Sequence, residues 1–259
     1  MKKFLWLVLI LVVPAIARPE TDAKTLEFLK KLNLFYYCLQ REGLKNFSCD
    51  ATMVLTPAFK NNAEVKKHGE AWLAAMGNLR YKISLSNEGL VSVDSTIPAS
   101  TGDPKTDQSI LNSTQSFQTA AKEMVTLWED AVVKPLHDDK DFASDCKIQN
   151  TADGFTVVID RKDGPVTEFY DKKAQLLGGV GTMGKVTTKS QVQLTSNPKG
   201  SVISGLKTEM GSSSYQIKIK YQGVKGFLLP QEMEFEVMTP ALSSSLDLVW
   251  DLSNYVINQ

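Results

Sequence analysis

Histidine is nearly missing from this chain: its 259 residues carry two, His68 and His137. Neither has the His-Glu-x-x-His spacing of a zinc hydrolase, and metal sites need three or four converging ligands. A Gly-x-Ser-x-Gly nucleophile elbow is absent as well. Cys49 or Cys146 as a nucleophile would need an activating histidine. The expected protein is therefore not an enzyme and holds no metal and no cofactor, and an exported hydrolase with a scattered site is the weakest reading. Charge of one sign is also lacking, with 29 Lys and Arg against 29 Asp and Glu. Nucleic acid as a partner would call for a basic face, and anionic membrane could not be bound by charge alone. Past residue 13 no apolar run approaches the 18 residues of a membrane span.

The first residues read in three parts. Lys2 and Lys3 are basic, Phe4 to Val13 are unbroken apolar residues, and Pro14-Ala15-Ile16-Ala17 offers small residues for a cut after Ala17. That is the layout of a secretory signal, and the apolar part is too short for a stable anchor. Residues 1–17 are thus expected to be removed, and residues 18–259 to form a single domain without a transmembrane anchor. The mature chain loses Lys2 and Lys3, leaving 27 basic against 29 acidic residues, a net charge of about −2. No cysteine follows the cut, so nothing suggests a lipidated N-terminus. Three cysteines, Cys38, Cys49 and Cys146, in an oxidising compartment predict one disulfide and one leftover thiol. All three pairings are open.

The apolar pattern predicts a helix over 23–40, with Phe28, Leu32, Phe35 and Leu39 at helical spacing. Period two then takes over: Phe47, Cys49, Ala51, Met53 and Leu55 share one strand face. Residues 61–78 look weakly helical, with Val65, Trp72, Leu73 and Met76 on the buried side. Tyr81, Ile83 and Leu85 alternate, a turn at 87–89 leads to a strand at 90–93, and 95–105 reads as a loop. The stripe Phe117, Ala121, Met124, Trp128 and Ala131 marks the clearest helix, stopped by Pro135. From residue 144 on, strand follows strand. Turns fall at Asp153-Gly154, Asp163-Gly164, 197–200 and Gly211-Ser212. Tyr215, Ile217, Ile219 and Tyr221 alternate with a basic face, and Met233, Phe235 and Val237 with an acidic one, so the two runs should pair antiparallel. Leu246, Leu248, Trp250 and Leu252 form one more strand.

Gly179-Val180-Gly181-Thr182-Met183-Gly184-Lys185-Val186 is close to a phosphate-binding loop. It lacks the hydroxyl at its last position, and the run that follows reads as strand, without the helix N-terminus such a loop depends on. A glycine-rich turn or bulge is the plainer reading.

One-sided strands with few helices predict an α+β fold: a strongly curved antiparallel sheet forming an incomplete β-barrel, with helices packed on its concave side. Such a sheet can leave an apolar cavity between itself and the helices.

Tyr221-Gln222-Gly223-Val224-Lys225-Gly226-Phe227-Leu228-Leu229-Pro230, followed by Glu232-Met233-Glu234-Phe235, resembles the late hairpin of the periplasmic outer-membrane lipoprotein carrier (LolA-like) superfamily. The order of export signal, helix, strands, middle helix and long meander is similar to that family too. The resemblance implies an unclosed barrel that binds lipid, in the periplasm of a Gram-negative envelope or secreted. Its partner would be a lipid or an acylated protein. The expected cavity lining is Met53, Leu55, Phe117, Met124, Trp128, Ile217, Ile219, Met233 and Phe235. The chain departs from compact carriers in its extra residues at 95–105, its strand past Pro240 and its three cysteines, and no polar latch residue can be placed. The other reading is an envelope interaction or stress-sensor protein of the same shape, with a filled core, no lipid cargo and an envelope protein as partner; on either reading the chain is expected to be a monomer.

Overall fold

The structure, a computed structural model, describes residues 23–258 apart from 87, 134–145, 162–163, 184–185 and 241–244. The signal segment, His137, Pro135 and the Gly184-Lys185 end of the glycine-rich run lie outside the described residues.

Among the described residues twelve strands form one antiparallel sheet: β1 Asn46–Val54, β2 Arg80–Leu85, β3 Val91–Ser95, β4 Lys147–Asn150, β5 Gly154–Arg161, β6 Gly164–Asp171, β7 Leu176–Met183, β8 Val186–Asn197, β9 Gly200–Met210, β10 Ser213–Val224, β11 Phe227–Met238 and β12 Leu246–Asn258. Their spatial order is β3-β2-β1-β12-β11-β10-β9-β8-β7-β6-β5-β4. Strands β4 to β12 run as a meander, and the last strand pairs with the first (Met53 opposite Trp250). The sheet is not closed, because β3 and β4 each have one neighbour.

Among the described residues five α-helices accompany the sheet: α1 Ala23–Phe35, α2 Pro57–Asn61, α3 Ala63–Lys66, α4 Gly69–Asn78 and α5 Pro104–Trp128, which runs into a turn of π-helix at Glu129–Val133. Helix α5 starts where Asp103 accepts a hydrogen bond from the Thr106 N–H at 3.0 Å, with Pro104 in its first turn. No helix among the described residues is long and apolar enough to cross a membrane.

Two expected helices end differently. The helix over 23–40 stops at Phe35, since Tyr36 bridges to Ser201 and the Tyr37 N–H donates to the Ser201 carbonyl at 2.8 Å. Leu39 is therefore buried from an irregular segment. The weak helix over 61–78 divides into α3 and α4, because Gly69 sits at φ +82°, outside helical space. The loop expected at 95–105 is shorter, since α5 already begins at Pro104.

The expected alternation holds on β1, where Phe47, Cys49, Ala51 and Met53 are buried. The charged faces of β10 and β11 meet as anticipated: Lys218 pairs with Glu234 and Lys220 with Glu232, each at 2.6 Å. The Lys225-Gly226 turn between these strands has φ of +50° and +87°, the geometry of a tight two-residue hairpin. A bulge between Lys220 and Tyr221 interrupts the ladder. The Pro230 carbonyl beside it accepts from the Tyr255 hydroxyl at 2.7 Å. The described start of the glycine-rich run, Gly179 to Met183, lies within β7, paired antiparallel to β6 and β8. These residues are strand, with a bulge on their β6 partner between Phe169 and Tyr170.

Apolar side chains gather in two clusters. The larger joins β1–β3 and β10–β12 to α2, α4 and α5. The smaller puts Phe28, Leu29 and Leu32 of α1 against Val157, Ile159, Tyr170 and Leu176. No disulfide links any two of Cys38, Cys49 and Cys146. Cys38 and Cys49 are buried, and the Cys38 thiol donates to the Val133 carbonyl at 3.3 Å.

Candidate functional site

All nine residues expected to line an apolar interior fall in the larger cluster. Met53, Met124, Trp128, Ile217, Ile219 and Met233 are buried in it, while Leu55, Phe117 and Phe235 are half-buried against it. Cross-strand register explains the grouping. One row across the sheet runs Met53, Trp250, Met233, Ile219. The next row holds Leu248, Phe235 and Ile217, and Leu55 approaches it from the end of β1, since Val54 stands opposite Val249. On the other side of the first row come Tyr81, Ala51 and Leu252. Period-two side chains on paired strands necessarily form such ladders on one face.

Helices α4 and α5 cover these rows. Trp72 and Met76 of α4 and Ile110, Met124, Val125 and Trp128 of α5 are buried in the same cluster. The two helices are tied together by the Trp72 indole N–H donating to the Ser113 hydroxyl at 3.1 Å. His68 stacks on Trp72 with ring centroids 4.6 Å apart, and its Nδ1 lies 3.0 Å from the Ser109 hydroxyl. That histidine is thus a surface tie between α5 and the start of α4. Gln118 of α5 donates to the Val93 carbonyl and so covers part of the β3 edge.

Two of the clefts among the described residues border the parts of this region under α5 and α4. The first, about 620 Å³, lies between α5 and the β10–β11 pair, lined by Met124, Leu127, Tyr215 and Phe235 with Thr119 and Thr126. The threonine hydroxyls donate to the carbonyls of Gln115 (3.0 Å) and Lys122 (2.9 Å) on their own helix, so what they offer the cleft is methyl. Lys122 and Glu123 supply its charges. The second cleft, about 430 Å³, lies on the α2–α4 side and is lined by Leu55 and Leu73 with Lys60, Lys66 and Glu70. Leu55 borders one cleft and Phe235 the other, and both belong to the row through Leu248. Both volumes lie in the range of roughly 300–1,000 Å³ usual for small-molecule sites.

Polar atoms inside this core are few. The Tyr221 hydroxyl donates to the Ile203 carbonyl at 2.6 Å, and Trp128 turns its indole N–H toward that hydroxyl. Burial pushes the Tyr81 phenol up to about 12 and the Cys49 thiol up to about 12, which keeps that thiol protonated and unreactive. Among the described residues no group of three or more His, Cys, Asp or Glu side chains could hold a metal ion. The expected lining omitted Trp250, Leu248, Tyr81 and Ala51, which complete the rows. Their alternation was visible in the sequence, but the pairing of β12 with β1, which seats Trp250 beside Met53, joins segments some 200 residues apart. Comparison with family models, with curated proteins and with solved structures finds no match to this chain.

Proposed function

We propose that this protein is an exported carrier that holds an acyl chain in the apolar interior of an unclosed, curved β-barrel, with α4 and α5 packed across the concave side. The observation that carries the reading is the pair of clefts that one apolar row meets, at Leu55 and at Phe235. An acyl chain lying along Leu55, Leu248 and Phe235 would run from one cleft to the other beneath the helices. It would enter and leave by motion of α5 relative to the sheet. This is the activity that the resemblance to the lipoprotein carrier superfamily implies, and its site would be lined by Met53, Met124, Trp128 and Met233 with their row neighbours. The export signal puts the carrier in the periplasm or outside the cell.

A second reading, an envelope interaction or sensor protein with a filled core, is favoured by one fact: Met53, Met124 and Met233 are almost fully buried by other side chains of the chain itself. Native mass spectrometry of the mature protein from its own envelope, with organic extraction of what accompanies it, separates the two. A co-purifying lipid or acylated peptide, lost in a folded Phe235→Asp variant, is the expected result. A clean apo mass, unshifted by phospholipid or acylated peptide, sinks the carrier reading in favour of the filled core.

A further inference from the structure

The two edges of the open sheet are treated differently. Helix α5 lies along β3, where the Gln118 amide donates to the Val93 carbonyl. Strand β4 has one neighbour among the described strands, β5, and its four residues are exposed or half-buried. The ladder fixes which of its backbone groups are spare. The Thr151 N–H donates to the Gly154 carbonyl at 2.9 Å, and hydrogen-bonded pairs alternate along an antiparallel ladder. Two and four residues back, Gln149 opposite Thr156 and Lys147 opposite Val158 therefore turn N–H and C=O toward β5. Ile148 and Asn150 turn theirs to the open edge. An unpaired row of this kind is a template for another strand.

A short edge strand with a lysine, as β4 has in Lys147, is also how sheets keep wrong partners off. What sets β4 apart is a cleft at the edge itself. The side chains of the same two residues, Ile148 and Asn150, line a cleft of about 290 Å³ together with Phe28 and Phe155. The two phenyl rings lie 5.5 Å apart between centroids. The other wall is the flank of α1 that carries Lys24, Glu27 and Lys31. Glu27 pairs with Lys31 at 2.9 Å, and the wall keeps a net positive charge. Residues directly opposite each other in an antiparallel pair share a face. A strand added beside β4 would thus aim the residues opposite Ile148 and Asn150 into this cleft. We propose that the β4 edge and its cleft are a docking site for an extended segment of a partner protein. The segment adds as one more strand and seats an apolar side chain against Phe28 and Phe155. Acidic residues two positions away on the same face meet Lys24 and Lys31. Backbone pairing supplies affinity here, and the cleft supplies specificity. The site belongs to the smaller apolar cluster and the acyl row to the larger one, so each can fail without the other.

The probe is the peptide acetyl-Thr-Asp-Thr-Phe-Thr-Asp-Thr-amide, which puts Phe and both Asp on one face of a strand. It is titrated into the isotope-labelled mature protein and read by NMR shifts and amide hydrogen exchange. In the free protein the Ile148 and Asn150 amides are expected to exchange fast and those of Lys147 and Gln149 slowly. The peptide should shift and protect the first pair. A version with Lys for Asp should bind roughly fivefold more weakly, and Lys24→Glu with Lys31→Glu should reverse that order. N-methylation of the peptide's Phe should abolish binding. Asn150→Pro should abolish it as well and still fold, since it removes only an N–H that faces the open edge, whereas Asn150→Ala keeps that N–H and should still bind. Protection of the Ile148 and Asn150 amides already present in the dilute free protein would mean that the chain covers its own edge. Protection that grows with protein concentration would give the edge to a second copy. Either result overturns the proposal, and so does a peptide that leaves these two amides unmoved. The wild-type measurements need no variant to fold.

Discussion

Replacing Met233 by alanine probes the centre of the covered row. Met233 is fully buried between Trp250 on one neighbouring strand and Ile219 on the other. Truncation removes the buried thioether and leaves a cavity that two stiff cross-strand neighbours cannot collapse into, which costs about 2–5 kcal/mol. In a chain of this size each kcal/mol is worth roughly 2–4 °C of melting temperature, so a central loss of about 3 kcal/mol lowers the midpoint by about 6–12 °C. Met238→Ala, on the same strand but 41% exposed, is the control and should cost at most about 0.5 kcal/mol. Differential scanning calorimetry of the mature protein, with a rescan for reversibility, reads both. The carrier reading adds a second expectation. The variant has more room for a chain, so saturating lysophospholipid should raise its midpoint by more than it raises that of the wild type, as linkage requires of a ligand that binds the enlarged site better. A Met233→Ala loss within 1 kcal/mol of the control would refute the claim that this row is a packed core.

Gly178→Ala should destabilise by about 1–3 kcal/mol in denaturant titration, since a Cβ there would lie 2.1 Å from the Ser190 carbonyl oxygen at φ +153°. Gly211→Ala, at φ +60° with nothing within 4 Å, should cost about 1 kcal/mol, from conformation alone. The Asp247 carboxyl is held above its usual range by burial and by the charges of Glu236 and Glu234. The folded state therefore binds its proton more tightly than the unfolded chain does, and stability is lost as pH rises from the ordinary carboxylate value through the raised one. Asp247→Asn should accordingly melt higher than the wild type at pH 7, with the gap shrinking as pH falls into the acid range. A double-mutant cycle on Lys218 and Glu234 should return less than about 1 kcal/mol at low salt and less again at high salt, because the pair is half exposed.

The parts of this fold that were legible in the sequence are those that one strand or one hairpin decides alone. Alternation put Phe47, Cys49, Ala51 and Met53 on one face because side-chain direction in a strand has period two, whatever the strand pairs with. The opposed charges of β10 and β11 were readable as a pair for the same local reason. Helix ends were less legible, because tertiary contacts set them. Nothing in the run from Phe35 to Leu39 announces that Tyr36 and Tyr37 will hydrogen-bond a strand some 160 residues later.

The site follows the same division. Its nine expected lining residues could be gathered by face, but the rows that give them neighbours depend on β12 pairing with β1. That contact has to be made across nearly the whole chain and carries no local signal. It is also what turns two apolar faces into a floor, for it seats Trp250 next to Met53 and Leu252 next to Ala51. Trp250 and Tyr81, read singly, are ordinary aromatic residues on alternating strands. Only the pairing puts Tyr81 opposite Ala51 and Trp250 opposite Met53 on the two sides of β1. A hydrophobic pattern records which side of a strand is dry, because burial acts on each residue separately. It does not record which polar atoms meet inside, because that is a property of pairs.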